Sequence, residues 1–153
     1  MMATTTTLCY LVKDNKVLLQ KKTKELFGGG KWNGPGGKAM ENETPMECAK
    51  RELLEEVGVK AVDLEKHAVI TFFKGDEIFT TCHVFKINKF LGEPKESREG
   101  IVKWFDFNEL PFGQMWPDDK FWMPLLFQGK KFNGDFYFDE NLNEILDYKL
   151  NVV

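Results

Sequence analysis

The stretch that most narrows the folds open to this chain is residues 37–59, GKAMENETPMECAKRELLEEVGV. It carries its own start and stop signals for one helix, predicted over 44–57. Thr44 can accept from free backbone N–H groups, Pro45 suits the first helical position, and Glu47 completes a capping box. Gly58 supplies the stop. Residues three and four apart share a helix face, so Glu52, Glu55 and Glu56 lie together. Met46, Ala49, Leu53 and Val57, with Leu54 beside them, form another face that reads as core. Like charges at this spacing repel by a few tenths of a kcal/mol per pair, about 0.2–0.5 in an exposed helix. A solvated acidic face balanced by Lys50 and Arg51 is one reading. A cation site is the other, because carboxylate oxygens suit Mg²⁺ or Mn²⁺. The glycine-rich run before the helix, with Glu43 and Arg51, favours the cation site.

The surrounding pattern is mixed. Residues 4–12 and 16–20 read as a hairpin about Asp14-Asn15. Residues 24–37 hold six of the 13 glycines and read as a loop. Strands are predicted over 69–73 and 78–85, around a turn at 74–76, and over 101–107. A second helix is predicted over 117–128, with Asp118 and Asp119 in its first turn and Pro124 shortening or kinking it. The last pair of strands, 132–138 and 144–150, surrounds Asn141. Strands interrupted by two separate helices imply an α+β fold with a mixed sheet covered on both faces, in one domain over 1–153.

Net charge is −3, which argues against gripping a long nucleic acid by its phosphates. A small anionic ligand stays compatible, since a metal can supply positive charge. Cys9, Cys48 and Cys82 lack CxxC spacing, so reduced thiols in a cytoplasmic protein are expected. The N-terminal residues show no signal-peptide pattern, and no apolar run is long enough to span a membrane. A monomer is expected.

The spacing of the acids within 37–59 is specific. Gly37, five residues, Glu43, seven residues, then Arg51-Glu52-Leu53-x-Glu55-Glu56-x-Gly58-Val59 match the Nudix box at every defined position. The chain thus resembles the Nudix hydrolases, which cleave nucleoside diphosphates linked to another group. The resemblance implies an α/β/α sandwich with the box as a loop–helix–loop. It implies Glu52, Glu55 and Glu56 as metal ligands, joined by the Gly36 carbonyl, with Arg51 holding Glu43 to orient the cluster. Outside the box, residues 31–38 (KWNGPGGK) and 115–119 (MWPDD) resemble the eukaryotic MutT homologues. That group hydrolyses oxidised purine nucleoside triphosphates to the monophosphate and pyrophosphate. By the same resemblance Thr7, Lys22, Gly36, Gly37 and Lys38 lie at the nucleotide. Glu99 would reach back to the metal, with Glu96 as the competing candidate. Glu52, Glu56 and Glu99 are each candidates for the general base.

A purine needs a flat apolar slot with polar groups at its edge. Trp116 can stack on it, with Phe27 and Phe73 lining the slot, although Phe73 reads equally as core. Asn33 offers a donor and an acceptor. Two adjacent carboxyls in a closed pocket cannot both ionise cheaply, so one of Asp118 and Asp119 should hold a proton. Moving that proton between them would let one pocket read two oxidised purines; the plainer alternative is that both cap the second helix. Lys22 could also belong to a solvated strip with Lys21 and Lys24. Pro35 and Thr71 depart from relatives that carry aromatics there. Rival functions are another Nudix substrate, such as a dinucleoside polyphosphate or nucleotide sugar, and a non-catalytic nucleotide-binding module. The complete glutamate set counts against the module.

Overall fold

The computed structural model describes residues 3–153; Met1 and Met2, within the expected 1–153 span, lie outside it. In chain order the strands are β1 (Thr4–Lys13), β2 (Lys16–Lys22), β3 (Trp32–Asn33), β4 (Lys60–Lys74), β5 (Glu77–Leu91), β6 (Gly100–Asp106), β7 (Phe132–Phe138) and β8 (Ile145–Val152). The helices are α1 (Pro45–Val57) and α2 (Asp119–Phe127), with a short 3₁₀ turn at Phe112–Gln114.

Asp14 and Asn15 take φ values of 52° and 61°, the type I′ geometry whose twist matches that of the flanking strands. The hairpin they close zips for only two pairs, Val12↔Val17 and Lys13↔Lys16. Beyond that the strands part. β1 runs parallel to β5, whereas β2 pairs with β6 along its length and with β3 at its end. The opening is filled by the glycine-rich segment, which follows the free edge of β1. Cys9 N donates to the Pro35 carbonyl (2.6 Å), Thr7 N to Gly37 (2.9 Å), and Ala39 N to Thr5 (2.8 Å). The expected loop therefore contains a two-residue strand and an extended stretch docked on the sheet.

The strands form one hydrogen-bonded path, β3-β2-β1-β5-β4-β7-β8, with β6 paired to β2. β1–β5 and β4–β7 are parallel and the remaining pairs antiparallel. Side chains alternate across this sheet. Cys9, Leu11 and Leu18 meet Ala49, Leu53 and Val57 of α1 on one face. Tyr10, Val12, Val17 and Leu19 meet Trp122, Met123 and Leu126 of α2 on the other. The result is the α/β/α sandwich. β4 and β5 are 15 residues each, much longer than the predicted 69–73 and 78–85, with bulges at Ala61/Asp63 and Lys66/Ala68 that break the two-residue period.

The α1 caps form as the residues require. Thr44 Oγ1 accepts from Glu47 N (3.1 Å), and Glu47 Oε1 accepts from Thr44 N (2.9 Å). Gly58, at φ 72°, donates to the Leu54 carbonyl. The expected apolar face needs correction. Met46 and Leu54 are exposed, while Cys48 and Glu56 are buried. Glu56 lies seven residues after Ala49, two helical turns on, and so joins the face that packs on the sheet. α2 begins later than predicted, at Asp119, and Pro124 sits inside it. The three cysteines are buried free thiols. Among the described residues no helix is long and apolar enough to cross a membrane.

Candidate active site

A cavity of about 580 Å³ lies where β1, the glycine-rich segment and α1 meet the turn before α2. One end is acidic. The Glu56 carboxyl is held from two sides: Lys22 Nζ lies 2.8 Å from Oε1, and Gly36 N donates to Oε2 at 2.8 Å. Burial pushes this carboxyl up to about 7, although Lys22 and the Gly36 N–H pull the other way. Lys22 is thus a specific partner and not part of a solvated strip. Glu52 lies beside Gly37, where a Cβ would come within 2.6 Å of its carboxyl. At Gly36 (φ 156°) a Cβ would meet the Thr7 carbonyl at 2.0 Å. Gly36 admits no side chain, and at Gly37 a side chain would displace the Glu52 carboxyl, so backbone and carboxylate approach each other closely.

Arg51 organises the acids behind this wall. Its Nε and Nη2 grip Glu43 at 2.6 and 2.9 Å, and Nη1 reaches Glu52 (2.9 Å) and Glu55 (3.1 Å). Nη2 also donates to the Lys38 carbonyl at 3.2 Å. The guanidinium holds the Glu43 carboxyl down at about 2.

The other end is aromatic. Trp116 stacks on Phe27, with ring centroids 5.4 Å apart at 27°, and Lys31 Nζ stands 5.1 Å from the Trp116 ring. Asp118 and Asp119 are 3% and 2% exposed. Trp122 Nε1 donates to Asp118 Oδ2 (2.8 Å), whereas Asp119 Oδ2 is buried without a partner. Burial raises both carboxyls, and the Asp118 charge raises Asp119 further. Neither side chain makes a capping bond at α2. Asn33 Oδ1 accepts from Gly34 N (2.9 Å) and from the Tyr10 hydroxyl (3.3 Å). Its acceptor is therefore used, and Asn33 offers the cavity its amide N–H donors, one function instead of the expected two.

The NUDIX domain profile matches residues 2–126. The chain belongs to the Nudix family. The Mus musculus protein named oxidized purine nucleoside triphosphate hydrolase is 44% identical over 148 residues, covering 96% of this chain and 94% of that protein. The Danio rerio protein of the same name has the same identity and coverage. Among solved structures, a MutT protein from Bacillus halodurans superposes with a TM-score of 0.85 at 28% identity, covering 97% of both chains. With relatives named as hydrolases across nearly its whole length, the chain is a Nudix hydrolase.

The residues that the Nudix resemblance points to are not all brought together. Thr7, Lys22, Phe27, Asn33, Gly36, Gly37, Lys38, Trp116, Asp118 and Asp119 line the cavity, as do Glu52, Glu56 and Glu99. Glu99, not Glu96, is the wall residue, and its carbonyl takes the Thr23 N–H at 2.9 Å, tying its segment to the end of β2. Glu55 is more than half exposed and lies outside the wall. Glu43 and Arg51 stand behind the wall as supports. Among the described residues no three acids converge as a ready-made ligand set. The donor chemistry still fits a hard divalent cation: oxygen donors only, with a buried Glu56 whose carboxyl the neighbouring Glu52 charge raises further.

Phe73 requires correction. It lies outside the cavity, stacked on Tyr137 at 4.3 Å, and Phe72 lines the cavity instead. Phe72 shares the face of Ala68 and Ile70 at a spacing of two, and one residue along a strand turns a side chain to the opposite face. Pro35 and Thr71 are absent from the wall. Phe72, Phe79, Thr6, Thr80 and Leu8 were not singled out by sequence. Thr4, Thr6 and Leu8 continue the Tyr10–Val12 face of β1 at a spacing of two, a signal legible in the sequence itself.

Proposed function

We propose that this Nudix hydrolase acts as a monomeric, single-domain cytoplasmic enzyme that hydrolyses oxidised purine nucleoside triphosphates, 8-oxo-dGTP and 2-oxo-dATP, to the monophosphate and pyrophosphate. The cofactor is Mg²⁺, with Mn²⁺ as a substitute. One observation carries the reading: a single cavity joins an aromatic end holding two buried carboxyls to the buried glutamate of the Nudix helix. The names of the Mus musculus and Danio rerio relatives agree with it.

In this reading the base enters the aromatic end. Trp116 and Phe72 bound its faces, Asn33 donates to its edge, and the aspartate pair, sharing one proton, offers a donor beside an acceptor. The triphosphate extends along Gly36, Gly37, Lys38 and Lys22. Glu52 and Glu56, with Glu55, would hold the cation, and Glu99 faces the same space. When bound, the cation lowers the pKa of a water and stabilises charge on the phosphates. Lys22 and the Gly36 N–H keep Glu56 in place, and a carboxylate of this wall, Glu52, Glu56 or Glu99, accepts the proton of the attacking water. Arg51 keeps Glu43, Glu52 and Glu55 from splaying.

The test is a steady-state panel of oxidised and ordinary nucleoside triphosphates, a dinucleoside polyphosphate and a nucleotide sugar, with pyrophosphate release as readout. The oxidised purines should lead in kcat/KM, and EDTA should abolish turnover. Equal rates across the triphosphates, or preference for a nucleotide sugar, would refute the substrate; chelator-resistant hydrolysis would refute the cofactor.

A further inference from the structure

Thr6 and Thr80 put a second polar feature on the strand wall of the cavity, apart from Asn33 and the aspartates. Their hydroxyls are 3.0 Å apart, and Thr80 Oγ1 is 3.0 Å from the Thr4 carbonyl. A carbonyl can only accept, so Thr80 gives its single proton to Thr4. With that proton committed, Thr6 donates to Thr80, the order that satisfies the Thr4 carbonyl and the hydroxyl pair together, and Thr6 Oγ1 then presents lone pairs to a ligand.

The strands hold the relay in place. β1 and β5 run parallel in the register Thr4↔Thr80 and Thr6↔Cys82. Threonine side chains are stiff about χ1, and Thr80 is buried. Phe79, next to Thr80 on β5, packs against Phe27 with ring centroids 5.8 Å apart, which places this wall at the aromatic end of the cavity.

Guanine N7 is a bare acceptor. Oxidation at C8 converts it to an N–H donor. An acceptor on the wall bonds the second and opposes the first, lone pair against lone pair. We propose that Thr6 Oγ1, held as an acceptor by Thr80, reads the N7–H of 8-oxoguanine and so separates the oxidised nucleotide from dGTP. Asn33, Asp118 and Asp119 take the other edge of the base. This inference rests on the substrate class proposed above.

The experiment measures kcat/KM for 8-oxo-dGTP, dGTP, 2-oxo-dATP and dATP in the wild type and in Thr6→Val, Thr6→Ser and Thr80→Val. In Thr6→Val the ratio of 8-oxo-dGTP to dGTP should fall on the order of ten-fold, as expected for one hydrogen bond. Thr6→Ser, which keeps the oxygen, should preserve most of the ratio. Thr80→Val frees the Thr6 proton to turn towards a bare N7, so the ratio should fall because dGTP improves. The ratio of 2-oxo-dATP to dATP should hold throughout, since both carry a bare N7. An unchanged ratio in Thr6→Val overturns the proposal. So does a loss shared equally by all four nucleotides, which is the mark of packing alone. A wild type with no preference for 8-oxo-dGTP overturns the substrate class itself, and this inference with it.

Discussion

Glu56→Gln should abolish turnover and, without divalent cation, stabilise the protein. The Glu56 side chain is 4% exposed, and burial lifts its carboxyl from 4.5 to about 7 even with Lys22 at 2.8 Å. Between those two values the native protein binds more protons than the unfolded chain, so stability falls as pH rises through the window and is level above it. A rise of roughly 2.5 units at 1.36 kcal/mol per unit is about 3 kcal/mol above pH 7. Glutamine keeps an acceptor for the Gly36 N–H and removes the charge. Lys22, 18% exposed, can turn to water. For a chain of this size about 1 kcal/mol moves Tm by roughly 2–4 °C, so the variant should melt roughly 6–12 °C higher at pH 8.

The assay is thermal melting of both proteins in EDTA from pH 4.5 to 8.5, with the difference in Tm plotted against pH. Taking the difference removes carboxylates common to both, including Glu43, whose depressed value acts in the opposite sense. The gap should be near zero at the acid end and open as pH rises. A gap that is flat with pH, or a variant less stable at pH 8, would refute the reasoning. Adding Mg²⁺ should narrow the gap, because a cation bound only by the native wild type stabilises it by mass action. The site would then be one where the protein tolerates a destabilising carboxyl in exchange for a proton acceptor at neutral pH.

Arg51→Lys replaces a fork that touches three carboxylates with a single point charge, and kcat/KM should fall roughly 10–100-fold, as for partners that orient metal ligands; a Mg²⁺ titration with an unshifted midpoint would argue against that role. Asp119→Asn should change the ratio of kcat/KM for 8-oxo-dGTP over 2-oxo-dATP, and an unmoved ratio would mean that the pair does not read the base. Phe72→Ala should raise KM, whereas Phe73→Ala should leave KM alone and lower stability by about 1 kcal/mol through loss of its stacking on Tyr137; the reverse pattern would restore Phe73 to the pocket.

The parts of the fold legible in the sequence are those settled by neighbours along the chain. The α1 caps depend on Thr44, Pro45, Glu47 and Gly58, all within one segment. The first hairpin depends on two residues that tolerate positive φ. What was not legible depends on partners distant in sequence. β4 and β5 hide their length because bulges at Ala61/Asp63 and Lys66/Ala68 interrupt the alternation and leave Lys, Glu and Asp within a continuous ladder. Phe72, not Phe73, lines the cavity because it continues the Ala68–Ile70 alternation of β4.

The box spacing located the acids but not their inequality. Glu52, Glu55 and Glu56 occupy one motif, yet Glu56 is buried, Glu52 lines the cavity and Glu55 is mostly solvated. Helical phase accounts for the first of these: seven residues from Ala49 returns to the sheet-facing side. Arg51 ties the last to the second, because its Nη1 donates to both Glu52 and Glu55. The polar groups of the aromatic end go further. Asn33 is a donor only because Tyr10 and Gly34 occupy its oxygen, and Thr6 is an acceptor only because Thr80 is committed to Thr4. Residue type alone leaves both senses open for an amide or a hydroxyl. The choice is made by the neighbour that takes up the other hydrogen-bonding group, so altering Tyr10, behind the cavity wall, or Thr80, beside Thr6 on it, should change what the pocket reads.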